Sequence, residues 1–236
     1  MGSCLVCEQE LAQRVSSIGY WEPGICPGCI GEAERQDEAK RVGKREKQLA
    51  QSLNRQLRGQ VSPIYWDSDP SQFPKEHWAK ICRWDPKGDK GLFVAGPPGG
   101  CKTRMCAARL RTLVERGTRA ACVYEQDYVE AYRRRFSDDP RAKAKSESIL
   151  SRANSEVLLL DDLGKASATG AWEEAITHLL EHRTSHELKT LWTVNLGYEQ
   201  VLGLWRDVER RRAADRRIRE FHEVVIVPEQ LIDQPE

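Results

Sequence analysis

The chain has 236 residues, 39% hydrophobic and 31% charged, with a mean hydropathy of -0.64, which excludes a disordered or fibrous chain and allows one mid-sized core plus an appendage. Its 37 Lys and Arg nearly balance 36 Asp and Glu, a net charge of +1, so any nucleic-acid affinity has to come from local patches and not from a globally basic field. No apolar run approaches the roughly 18 residues of a membrane span, and the N-terminus lacks the basic start and apolar stretch of a secretion signal; a cytoplasmic protein without membrane contact is expected.

Residues 1–30 hold Cys4, Cys7, Cys26 and Cys29, two CxxC pairs with 18 residues between Cys7 and Cys26. Each CxxC can place two thiolates on one metal, and two pairs complete the closed tetrahedral site of a structural Zn²⁺. Disulfides are disfavoured in a cytosolic chain, and a redox CxxC would need a thioredoxin-like context that is absent. We therefore expect a zinc-binding module over 1–30, folded by its metal. Residues 31–58, highly charged and without Pro, read as a charged helical linker. Its Arg35, Lys40, Arg41, Lys44, Arg45, Lys47, Arg55 and Arg58 are interleaved with acids, as on a solvated helix face or a nucleic-acid patch. Residues 59–90, rich in Pro, Asp and Trp, read as a lead-in without strong periodicity.

From Gly91 the pattern changes, and short apolar runs alternate with amphipathic stretches. Strands are expected at "GLFVA" (91–95), "AACVYE" (120–125), "VLLLDD" (157–162), "TLWTVN" (190–195) and "EVVIV" (223–227). Each is flanked by polar segments, as parallel strands buried on both faces would be. Between them, Cys106, Ala107, Leu110, Leu113 and Val114, and later Trp172, Ala175, Ile176, Leu179 and Leu180, recur at helical spacing and give each helix one apolar stripe. Cys82, Cys106 and Cys122 fall in these patterns and are expected as small core residues. The whole reads as α/β, a parallel five-stranded sheet flanked by helices over 59–236, plus the zinc module.

Between the first strand and its helix stands "GPPGGCKT" (96–103). Strand, glycine-rich loop, then Lys-Thr at a helix start is the context of a phosphate cradle. Gly96, Pro97, Pro98, Gly99, Gly100 and Cys101 would supply backbone N–H groups, Lys102 would reach the β and γ phosphates, and the Thr103 hydroxyl would bind Mg²⁺. Arg104 follows in the first helical turn. The odd residue is Cys101, where the motif has glycine; a non-glycine backbone is expected to be tolerated at this helix start. A simple strand-to-helix turn remains the alternative.

"VLLLDDLG" (157–164) ends a buried strand in two carboxylates. Asp161 would hold Mg²⁺ and Asp162 would orient or deprotonate a water, although an Asp pair can also merely cap a strand. Asn195, ending "TLWTVN", could hold that water, or could be an ordinary strand terminator.

Taken in this order, the loop, "LLLDDLGK" (158–165) and "TVN" (193–195) resemble the AAA+ ATPases of the helicase-loader type, covering 59–228. The nearer resemblance is to bacterial DnaC-like loaders and IstB-like transposition ATPases. It implies a P-loop ATPase core that binds and hydrolyses ATP with Mg²⁺, acts in DNA replication as a helicase loader or remodeller, and contacts single-stranded DNA. Asn195 maps to the family's sensor asparagine. The stretch "RRIREFHEVVIV" (216–227) is similar to the region that carries an arginine finger, with Arg217 the better match and Arg219 the second. A finger acts in trans, so the resemblance also implies a homo-oligomer or co-assembly with a helicase hexamer, and a monomer that is a weak ATPase. Some such loaders carry a cysteine-bearing N-terminal domain that docks on the replicative helicase. The chain is expected to lack a full lid domain. Aromatics of the lead-in, Tyr65, Trp66, Phe73, Trp78 and Trp84, would line an adenine pocket or cover the sheet edge. Three other readings stay open: an IstB-like partner of a transposase, a degenerate nucleotide-binding adaptor acting through its zinc module, and a zinc DNA-binding protein regulated by the core.

Overall fold

The computed structural model describes residues 27–228, and the chain divides into two compact units, 1–49 and 50–236. Cys4, Cys7 and Cys26 lie outside the described residues, as does the side chain of Cys29. In the first unit the described part is the opening of helix α1 (Pro27–Arg58), exposed at every position from 32 to 49. Such a helix presents no apolar stripe. Its described part begins at Pro27, within the segment assigned by sequence to the zinc module.

The second unit is built on five parallel strands, β1 (Gly91–Ala95), β2 (Ala120–Tyr124), β3 (Val157–Leu163), β4 (Lys189–Val194) and β5 (His222–Ile226), in the order β2-β3-β4-β1-β5. All five were legible as apolar runs. The inner strands β1, β3 and β4 are buried at nearly every position, which only a sheet covered on both faces allows. Edge strand β5 departs from that expectation, with Glu223, Val224 and Ile226 exposed, since a terminal strand has a neighbour on one side only. At the other edge, the Cys122 backbone N–H of β2 is met by Gln60 Oε1 at 2.9 Å.

Helices α4 (Lys102–Glu115), α5 (Glu125–Arg133), α6 (Pro140–Ala153), α7 (Gly170–Ser185), α8 (Tyr198–Leu202) and α9 (Val208–Phe221) connect the strands. Side chains alternate across the sheet, so Phe93 and Ala95 enter one core layer with α5, α6, α7 and α9, while Leu92 and Val94 enter the other with α4. Both helical stripes read from the sequence are buried. At about 1.5–3 kcal/mol for each fully buried large apolar side chain, these two layers dominate stability.

The lead-in is more ordered than its weak periodicity suggests. It forms α2 (Pro63–Trp66), a 3-10 turn (Pro70–Gln72) and α3 (Lys75–Arg83), too short to show a period. Trp66, Phe73 and Trp84 are buried against the α4 face of the sheet, with Tyr65 and Trp78 packed around them, so they cover the sheet and its helix. Arg109 of α4 donates to the Trp84 carbonyl and Arg111 to that of Trp66, fastening the lead-in to α4. Cys106 and Cys122 are core residues as expected; Cys82 is exposed, because it falls on the outer side of α3. No helix among the described residues is long and apolar enough to cross a membrane.

Candidate functional site

The loop 96–101 leaves the C-terminal end of β1, between β4 and β5, and turns directly into α4. Beside β1 the strand order changes direction, the place where open α/β sheets leave a crevice for a ligand. Val227, just past β5, donates to the Ala95 carbonyl at 2.7 Å and pins the start of the loop. Gly96 (φ +149°) must be glycine, because a Cβ there would lie 1.9 Å from the Val227 carbonyl oxygen. Gly99 (φ +85°) turns the chain through the left-handed region in open space, so the demand there is on the backbone alone.

Cys101 corrects the sequence reading. It takes φ 56°, ψ 15°, a left-handed conformation, at the N-cap of α4. An L-residue pays roughly 1–2 kcal/mol there, so this position requires what glycine gives most easily.

Lys102 begins α4 with its side chain 5% exposed, its ammonium donating to the Pro97 carbonyl at 2.7 Å across the loop. Burial pushes its pKa down, against the pull of Asp162 and Asp161. Among the described residues it forms no ion pair within 4.0 Å. Thr103, one residue on, donates its hydroxyl to Asp161 Oδ1 at 2.8 Å. Arg104 is half-buried in the same turn.

Asp161 is 1% exposed. Burial raises its pKa, while hydrogen bonds from the Thr193 and Thr103 hydroxyls work the other way. Adjacent strand residues ordinarily face opposite sides of a sheet. Here the β3–β4 register shifts between Leu160 and Leu163, and Asp162 takes φ 61°. This bulge re-aims Asp162, so that both carboxylates serve the same end of the sheet. Its backbone N–H donates to Thr193 Oγ1 at 3.0 Å; its carboxylate accepts from Asn195 Nδ2 and from Lys165 Nζ, each at 3.1 Å.

The chemistry suits a nucleotide phosphate with a hard cation. A buried ammonium held by one carbonyl and a buried carboxylate held by hydroxyls each lack a close counter-charge, which phosphate oxygens and a divalent ion would supply. Among the described residues no group of three or more His, Cys, Asp or Glu is placed to hold a metal.

Lys102, Thr103, Asp161, Asp162 and Asn195 are thus brought together. The two arginines suggested as fingers are not among them. Arg217 lies on α9 with its guanidinium 3.1 Å from Glu181 of α7, and Arg219 pairs with Asp215 at 2.6 Å and lies over the Tyr198 ring. Two site residues escaped the sequence reading. Thr193 donates to the Asp161 carboxylate and accepts from the Asp162 backbone N–H, joining β4 to both residues. Glu125, 1% exposed at the head of α5, accepts from the backbone N–H groups of Gly164 and Ala166 and from Trp172 Nε1, and so holds the segment after β3. The signal for Glu125 was a carboxylate ending the apolar run "AACVYE"; Thr193 gave none, because threonine is common in strands.

No family model matches the chain. Over 114 residues it is 31% identical to the replicative helicase loader DnaI of Bacillus subtilis (strain 168), a match covering 48% of this chain and 35% of that one, so the chain spans about a third of that relative's length. Among solved structures it is similar to a crystal structure of DnaI (TM-score 0.51, 22% identity, 75% of this chain and 93% of the other). It is likewise similar to the DnaC helicase loader (0.52, 21%, 70% and 99%). A third similarity is to the replication initiator DnaA bound to AMPPCP and single-stranded DNA (0.52, 15%, 72% and 51%). At these identities the shared feature is the fold.

Proposed function

We propose that the chain is an AAA+ ATPase that binds Mg²⁺-ATP and acts in DNA replication as a loader or remodeller of a replicative helicase. One observation carries the nucleotide part: Lys102 and Asp161, both buried and neither in an ion pair among the described residues, meet at Thr103 beside the loop. In this reading the loop N–H groups and Lys102 bind the phosphates. Thr103 and Asp161 hold Mg²⁺, which when bound neutralises charge on the β and γ phosphates. Asp162 accepts a proton from water that Asn195 orients.

The helicase part is supported by the DnaI identity over nearly half the chain. An IstB-like role beside a transposase has no comparable support here. For single-stranded DNA, the end of α5 offers Arg133, Arg134 and Arg135 next to Phe136, which is 82% exposed, with the Arg135 guanidinium over both Tyr132 and Phe136. An exposed aromatic ring beside arginines, here paired with Glu130 and Glu174, can serve as a stacking platform for an unpaired base. The finger in trans would come from α9, where Arg217 and Arg219 would each first leave an internal carboxylate. The exposed Arg216 forms no ion pair among the described residues and is the α9 arginine that needs no contact broken. Zn²⁺ on Cys4, Cys7, Cys26 and Cys29 rests on their CxxC spacing, and we assign that module to docking on the partner.

Equilibrium binding of a fluorescent ATP analogue with and without Mg²⁺, for wild type, Lys102→Ala and Asp161→Asn, tests the site. Binding that is independent of Lys102 would remove this reading. The adaptor reading, motivated by the strained Cys101, takes over if wild type binds nucleotide, never turns it over with helicase and single-stranded DNA present, and Cys101→Gly restores turnover. Capture of purified replicative helicase against purified transposase, with zinc-loaded protein, tests the partner.

A further inference from the structure

We propose that Lys165 is a positioning residue for Asp162: its ammonium exchanges between the Asp162 carboxylate, where it withholds that group from water, and the Asp127 carboxylate across a shared cavity. This rests on Asp162 being the proton acceptor.

Both oxygens of Asp162 are engaged, Oδ1 by Asn195 and Oδ2 by Lys165. Lys165 occupies a lone pair of Oδ2 that an approaching water would use. The contact is easily given up. Lys165 is 62% exposed at its side chain, and exposed pairs of this kind contribute little to stability.

An alternative acceptor stands nearby. A cavity of about 140 Å³ is lined by Tyr124, Glu125, Gln126, Asp127, Asp162 and Lys165, roomy enough for an ammonium with a few waters at about 30 Å³ each. Asp127 is exposed in the first turn of α5 and forms no ion pair among the described residues. The segment carrying Lys165 is clamped by Glu125 through Gly164 and Ala166. Glu125 and Asp127 both belong to the first turn of α5. A small shift of α5 therefore acts on the clamp and on the second acceptor together. The same helix ends at the Arg133–Phe136 surface, so a ligand there has a direct mechanical route to Lys165.

Two measurements test this. In the nucleotide-free protein, acylation of Lys165, followed by mass spectrometry against the other lysines, is expected to rise severalfold in Asp162→Asn and to change little in Asp127→Asn; unchanged labelling in Asp162→Asn overturns the pairing. In steady-state ATP hydrolysis, Lys165→Met is expected to raise kcat roughly three- to tenfold with KM unchanged, because Asp162 Oδ2 then stands open to water. Lys165→Arg should return kcat to the wild-type value, and Asp127→Asn should lower it. A kcat in Lys165→Met equal to or below wild type overturns the proposal and leaves the site reading standing. If neither protein turns over ATP that both bind, the proposal falls together with hydrolysis; if neither binds ATP, the reading of the site falls as well. A silent wild type made active by Lys165→Met supports the latch.

Discussion

Thr103 of α4 and Asp161 of β3, 58 positions apart in the chain, share a hydrogen bond of 2.8 Å. It joins the turn that follows the loop to the strand that ends in two carboxylates, with Thr193 donating to the same oxygen from β4. Three elements therefore converge on one buried carboxylate that burial makes reluctant to ionise.

Asp161→Asn should separate stability from binding. The amide oxygen can still accept from both hydroxyls, and a buried charge beside Asp162 is removed, so the melting temperature should hold or rise by up to about 3 °C. Mg²⁺-dependent nucleotide affinity should fall at least about tenfold, since one hard anionic ligand is lost. Calorimetry paired with nucleotide titration reads both; unchanged affinity would show that Asp161 is not at the metal.

Cys101→Gly should stabilise the protein. Relief of the left-handed backbone at φ 56° outweighs the entropy that glycine adds to the unfolded chain, a net of about 0.5–1 kcal/mol. The midpoint of urea unfolding should move up with an unchanged slope. A lower midpoint would mean that the Cys101 side chain contributes more than its backbone costs.

Arg183 ties the far end of the sheet together. It is 1% exposed, donates to the carbonyls of Ala153, Ser155 and Lys189 and to Thr190 Oγ1, and has its pKa lowered to about 9 by burial. Arg183→Met would leave several buried acceptors unmet and should cost about 3 kcal/mol or more. Arg183→Lys, with one ammonium in place of a planar fork, should recover only part of this. A loss below about 1 kcal/mol in chemical denaturation would mean that water replaces the guanidinium.

His222 should make folding acid-sensitive. Its Nε2 accepts from Trp192 Nε1 at 2.8 Å, and its pKa is lowered to about 4 by burial first and by the nearby Arg183 and Lys189. The unfolded chain takes up this proton near pH 6.5 and the folded chain near pH 4, so stability falls as pH drops through that window, by up to about 1.4 kcal/mol per unit. Above pH 7 the group contributes no slope. Stability of wild type and His222→Phe should converge on acidification; parallel profiles would remove His222 as the cause.

Much of this architecture was legible because parallel strands and their covering helices write themselves as apolar runs and stripes. "GLFVA" and "VLLLDD" needed no partner to be recognised, and the loop between Ala95 and Lys102 followed from its glycines and its place. The short lead-in helices were not legible, since four or nine residues do not establish a period. Arg183 has no local signal in the sequence, and only its burial beneath the strand ends reveals a structural role.

By itself the sequence determined the strands, the glycine-rich loop between the first strand and its helix, and the residues with chemistry to offer, because these depend on side-chain type and local spacing. The tertiary structure decided which of them meet. Asp162 joins Asp161 only through a bulge, Thr193 and Glu125 become site residues only through contacts with segments more than 30 positions away, and Cys101 shows its strain only once its backbone is held between β1 and α4. Such facts arise from the packing of distant segments, which no local pattern of residues encodes.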